Sequence, residues 1–165
     1  MMATRHHLRA LVILSALFLG WHVPAEAQSV IGLQISQDAT QSEPVTLELG
    51  DLDAMPQQSF TTSTIWTDGQ VTFSGVPLKA LLDSLDTTGS TVEMVALNDY
   101  KVSMPLADLE DTAPIVATRM DGKPMSVRDK GPYWVVFPYD EDPKYQTETI
   151  YSLSIWQLNR LKVVD

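Results

Sequence analysis

The stretch APIVATRMDGKPMSVRDKGPYWVVFPYD, Ala113 to Asp140, constrains the fold of this chain more than any other. Two short apolar runs, Pro114 to Ala117 and Tyr133 to Phe137, bracket a polar crossing from Thr118 to Gly131. The simplest structure with that pattern is a pair of buried strands joined by a long polar loop. The loop holds Arg119, Lys123, Arg128 and Lys130, four of the eleven Lys and Arg residues in a chain of formal charge −10. Cations gathered this way in an acidic chain call for an anion, or an acidic side chain from elsewhere, between them.

The chain opens with Arg5 and Arg9, an apolar run from Ala10 to Gly20, and Ala25-Glu26-Ala27. These are the three regions of a secretory signal peptide, with cleavage expected after Ala27. The apolar run is about eleven residues, against roughly 20 needed to span a bilayer. Residues 1–27 are therefore read as a cleaved leader and 28–165 as one domain. The expected location is periplasmic or secreted, with no stable membrane insertion after cleavage.

Loss of the leader removes His6, His7 and His22, all the histidine there is, and the chain has no cysteine. No Ser-His-Asp or Cys-His nucleophile can then be assembled. A zinc site using Cys or His, a haem with an axial His or Cys, and a cysteine-held iron–sulfur cluster are excluded on the same ground. No disulfide staples the fold, although an exported protein is free to use them. Without Arg5, Arg9 and Glu26, nine Lys and Arg face twenty Asp and Glu. Phosphate binding needs a basic surface, so nucleic acid is not an expected partner.

The mature chain reads as α+β, a single strand-rich mixed β domain with a few short helices. Strands are expected at Ser29–Ser36, Pro44–Leu49, Gln58–Ile65, Val71–Phe73, Thr91–Leu97, Tyr100–Met104 and Leu161–Val164. Asp51 is expected to cap one helical turn that stops before Pro56. Gly75 to Leu85 is expected to be a helix, with Pro77 as its first residue and Leu78, Leu81, Leu82 and Leu85 as its apolar stripe. Asn98-Asp99 is a hairpin turn between two alternating runs.

Four segments, GVPLKALLDSL, VALNDYKVSMPLADL, ATRMDGKPMSVRDKGPYWVVFP and IWQLNRLKV, occur in an order and spacing similar to the molybdopterin-binding domain of sulfite oxidase-type oxidoreductases. More narrowly, the chain resembles small exported stand-alone bacterial forms of that domain. The resemblance runs from about Val45 onward and keeps scaffold positions such as Gly75, Gly122, Pro124 and Pro138. In the catalytic family a cysteine ligates molybdenum from a loop before the first helix. The matching stretch here, Phe60 to Gln70, has no cysteine. The family's histidine before a Gly-Pro turn is replaced by Lys130 in Lys130-Gly131-Pro132, and a Lys-Trp pair among its pterin contacts is replaced around Trp156. The resemblance thus implies the fold, with all three departures at the cofactor.

Candidate ligand-binding residues are Arg119, Arg128 and Lys130, with Asn98 and Tyr100 supplying neutral hydrogen bonds. Arg offers bidentate recognition of phosphate or carboxylate. The competing reading pairs the arginines with nearby acids and makes Asn98-Asp99 an ordinary turn. Asp140-Glu141-Asp142 lacks the spacing of a calcium loop and reads as solvated. Trp66, Tyr133, Trp134, Tyr139, Tyr145, Tyr151 and Trp156 supply core and some cleft, with Tyr139 and Tyr145 expected to be the exposed pair. The functional expectation is a periplasmic molybdopterin-domain-like protein without molybdenum redox catalysis, binding a small anion or a periplasmic protein partner. No cofactor is expected from the residues, and molybdopterin enters by the resemblance only. The alternative is a molybdopterin-dependent oxidoreductase with a non-cysteine metal environment.

Overall fold

The computed structural model describes residues 31–37 and 43–165. The expected leader, the first residues of the expected Ser29–Ser36 strand and most of the Gln37–Glu43 linker lie outside the described residues. Among the described residues ten strands form two five-stranded sheets. The first sheet contains β1 (Leu33–Gln37), β2 (Val45–Leu47), β5 (Thr91–Ala96), β6 (Lys101–Pro105) and β10 (Leu158–Val164), in the order β2-β1-β10-β5-β6. Among the described strands β1 and β10 alone run parallel, side by side within this sheet. The second contains β3 (Gln58–Ser63), β4 (Gln70–Pro77), β7 (Ile115–Met120), β8 (Lys123–Pro124) and β9 (Trp134–Val136). β4 pairs with one edge of β7, and β8 and β9 share the other.

The central stretch behaves as its pattern requires. Ile115, Val116, Ala117, Trp134, Val135 and Val136 are all fully buried. Both faces of β7 and β9 are covered, which is why neither alternates polar with apolar. β9 also fastens the sheets together: the Leu158 amide donates to the Tyr133 carbonyl at 2.9 Å, and the Val135 amide to the Ile155 carbonyl at 2.9 Å. The polar crossing is shorter as loop than its composition suggests, because β7 continues through Arg119 to Met120 and turns at Asp121-Gly122 into β8.

Several expected boundaries move, among them the last strand, which begins at Leu158 rather than Leu161. The first helix, α1 (Leu49–Asp53), is capped by Glu48, whose carboxylate and that of Asp51 form a reciprocal capping box. Asp51 is therefore the third helical residue rather than the cap. Leu49 belongs to this helix, and β2 is a three-residue edge strand with Val45 left 44% exposed. The helix expected from Gly75 is α2 (Leu78–Asp83), with Pro77 preceding its first residue. Gly75, Val76 and Pro77 instead extend β4, where pairing with Ala117, Val116 and Ile115 outweighs local helix signals. The stripe survives as Leu78, Leu81 and Leu82, buried to 2% exposure or less. A third helix, α3 (Glu148–Leu153), is capped by the Thr147 hydroxyl. No helix among the described residues is long and apolar enough to cross a membrane.

Candidate functional site

A cleft of about 350 Å³ opens where three separate segments meet. Trp66 comes from the turn between β3 and β4, Asn98 and Tyr100 from the β5–β6 hairpin, and Tyr151 to Gln157 from α3 and the segment after it. The Phe60–Gln70 stretch is thus a hairpin end, separated from α2 by the whole of β4.

Each segment is held by identifiable bonds. The Trp66 turn is set by Thr64, whose hydroxyl accepts from the Trp66 amide at 3.0 Å and pairs with the Thr67 hydroxyl at 2.9 Å. Its two ends are latched by Asp140, which accepts from the Ser63 amide (2.7 Å), the Ser63 hydroxyl (2.6 Å) and the Gln70 amide group (3.2 Å). These donors, Ser63 foremost, hold the Asp140 carboxyl below its usual range. In the hairpin, the Tyr100 amide donates to Asn98 Oδ1 at 3.1 Å, and Asp99 takes the left-handed conformation with φ 64°. Gln157 ties all of this to the central crossing. Its amide donates to the Lys130 carbonyl, its carbonyl accepts from the Leu97 amide, and its side chain donates to the Val127 carbonyl, at 2.8–2.9 Å. Sequence reading missed Gln157, whose role rests on long-range bonds that no local pattern announces.

The lining is aromatic and uncharged. Trp66 is the hub, with ring centroids 5.9 Å from Trp134, 6.4 Å from Tyr139, 5.8 Å from Tyr151 and 5.6 Å from Trp156. All are edge-to-face, the arrangement that opposes a positive ring edge to a negative face. Asn98, Ser152, Ser154 and Gln157 are the polar side chains, and among the described residues no Lys, Arg, Asp or Glu lines the cleft. Beneath it, the Tyr139 hydroxyl donates to Ser154 Oγ at 2.6 Å and the Trp134 indole to the Ser154 carbonyl at 3.1 Å. Burial pushes the Tyr139 phenol up to about 12. Tyr139 and Tyr145 are buried at 2% and 7% exposure, contrary to expectation. The outward aromatics are Tyr100 (52%) and Trp156 (39%). Adjacency to an acidic loop was a poor guide, because Phe137 and Trp66 pack against those tyrosines.

The sequence-derived candidates separate. Asn98 and Tyr100 line the cleft. Arg119 does not: its guanidinium is held bidentately by Asp53 on α1, with Nη2 to Oδ2 at 2.7 Å. That bond lowers the Asp53 carboxyl and raises the guanidinium. Lys130 places its ammonium 5.6 Å from the Trp134 ring centroid and is not among the residues that line the cleft. Arg128 sits exposed on a short 3-10 turn at 127–129. The four loop cations therefore do not converge on the cleft.

Two sheets joined along a buried central strand pair, with a loop-built cleft at one end, define a strand-rich domain of the sulfite oxidase-type molybdopterin class. The chain belongs to the oxidoreductase molybdopterin binding domain family, whose model matches residues 22–140. Among solved structures it is similar to the sulfane dehydrogenase SoxCD from Paracoccus pantotrophus, at 16% identity and a TM-score of 0.59. That match covers 81% of this chain and 38% of the SoxCD chain, so the likeness is one of fold. No curated protein matches the chain.

The family binds molybdopterin, and the cleft residues of this chain do not fit that group. Trp66 occupies the turn where the resemblance places a metal-ligating cysteine. Among the described residues no group of three or more His, Cys, Asp or Glu is arranged to hold a metal ion. A phosphate-bearing cofactor calls for cationic or convergent amide donors, and the lining has no cation.

Proposed function

We propose that this chain is an exported, non-redox member of its family that uses the cleft to bind a small ligand or a group presented by a protein partner. One observation carries the reading. The three stretches where the resemblance departs from the catalytic pattern, around Trp66, Lys130 and Trp156, are distant in sequence but adjacent in space. Trp66 and Trp156 pack at 5.6 Å, and the Lys130 carbonyl is bonded to the residue after Trp156. Replacements that meet at one point change one site, from metal and phosphate recognition to a neutral aromatic surface. A small apolar cleft with a few polar groups is the usual form of a small-molecule site. The anion expected from Arg119, Arg128 and Lys130 gains no support from this geometry, which contributes Asn98 and Tyr100 only.

The test is the metal and pterin content of the protein purified from the periplasm of its native host. The expected result is both far below one per chain, with no activity toward sulfite or sulfane sulfur. Stoichiometric molybdenum and pterin would overturn the proposal and establish an oxidoreductase with a non-cysteine metal environment.

A further inference from the structure

We propose that the cleft is a site for small free solutes bearing a quaternary ammonium group, of which choline is the simplest probe. This rests on the non-redox reading above and names the ligand class of that same site. The walls are mutually inclined rather than parallel: Tyr151 stands at 89° to Trp66, and Trp156 at 68°. A flat ligand stacks on one wall of such a corner, whereas a compact tetrahedral group touches several. Aromatic faces carry the negative end of the ring quadrupole and attract cations. Tyr100, on the outer side of the same cleft, adds a further ring.

The absence of charge in the lining selects within cations. A primary ammonium carries N–H donors that need carboxylates or carbonyls when desolvated. A trimethylammonium group has none, so a neutral aromatic corner leaves no donor of it unpaired. Asn98 and Ser152 supply neutral partners for the remainder of the solute. The excess of twenty Asp and Glu over nine Lys and Arg in residues 28–165 raises the local concentration of any cation and lowers that of anions. The same aromatic cluster already receives a cation, since the ammonium of half-buried Lys130 sits over Trp134, whose ring lies 6.4 Å from Trp156.

The experiment is calorimetric titration of the full exported chain with choline chloride, with 3,3-dimethylbutan-1-ol as its uncharged counterpart of the same shape. Choline is expected to bind at millimolar concentration or below, with the alcohol about tenfold weaker or more. Trp156→Ala removes a wall that is already 39% exposed. It should weaken choline about tenfold while leaving the circular dichroism unchanged. Tyr100→Ala, at a still more exposed position, serves if the first variant fails to fold. Lys130→Met removes a nearby positive charge and should tighten choline. Equal binding of the alcohol, no binding of choline at tens of millimolar, or indifference to both wall variants overturns the proposal. Wild type that sediments with phosphatidylcholine vesicles, yet ignores free choline, overturns the free-solute assignment. Molybdenum and pterin in the purified protein overturn the underlying reading instead. Failure of choline on cofactor-free protein overturns this inference alone.

Discussion

Replacing Gly75 with alanine tests the central pairing on which the whole arrangement depends. β4 and β7 change register between Ser74, opposite Arg119, and Gly75, opposite Ala117, so Thr118 is the extra residue of a bulge. The bulge brings the Val116 carbonyl directly over Gly75. A Cβ built there overlaps that oxygen and lies 2.7 Å from Ala117 Cα and 2.8 Å from the Val116 carbonyl carbon, where ordinary contact begins at 3.4 Å. Every obstructing atom is backbone of Val116 or Ala117, both fully buried, so no side chain can swing aside. The strands must part, which weakens about two ladder hydrogen bonds at roughly 1 kcal/mol each. Packing strain adds about 1–3 kcal/mol, and the lower unfolded-state entropy of alanine returns roughly 0.5–1 kcal/mol. The expected net loss is about 2–4 kcal/mol. Urea unfolding followed by tryptophan fluorescence reads it well, because Trp66, Trp134 and Trp156 share one cluster. The midpoint should fall by about 1–3 M. A fall below about 0.5 M with unchanged slope would mean that the strands open freely there and that the β4–β7 register is misassigned.

Further expectations follow from burial and charge. Leu81→Ala empties a fully buried position on α2 and should cost about 2–5 kcal/mol; a loss below about 1 kcal/mol would remove α2 from the core. Tyr133 and Tyr139 are both pushed up to about 12, chiefly by burial. Their folded values exceed the unfolded one of about 10, so their contribution to stability is complete below pH 10 and is lost as pH rises from there through 12. Phenolate absorbance should show these two ionising well above pH 10, and their ionisation near pH 10 would refute their burial. The exported protein should begin at Gln28 by intact mass, and a mass that retains residues 1–27 would refute the leader assignment.

Much of the fold was legible because its signals are short-range. The unbroken apolar runs at 114–117 and 133–137 announced strands buried on both faces, and β5 and β6 alternate around Asn98-Asp99 as a hairpin must. Leu78, Leu81 and Leu82 showed their helical face. Errors arose where a long-range partner outweighed a local preference. Pro77 looks like a helix start until β7 is placed beside it, and Tyr139 looks exposed until Trp66 packs against it.

The sequence by itself determined the chemistry that is absent from residues 28–165: without Cys or His, several catalytic and metal-binding systems have no ligands to use there. It also determined the strand-rich class, since side-chain period and turn residues act over a few positions. Only the tertiary structure decided what the site is. It joined Arg119 to Asp53, 66 residues away, and so withdrew that arginine from the cleft. It also brought Trp66, Tyr100 and Trp156 together from three segments. The physical reason is sheet order: β10 pairs with β1 and β5, and the Tyr133–Leu158 bridge ties it to the other sheet, which sets the chain ends of distant strands side by side. No periodicity along the chain encodes that adjacency, because it depends on which strands pair across the whole molecule.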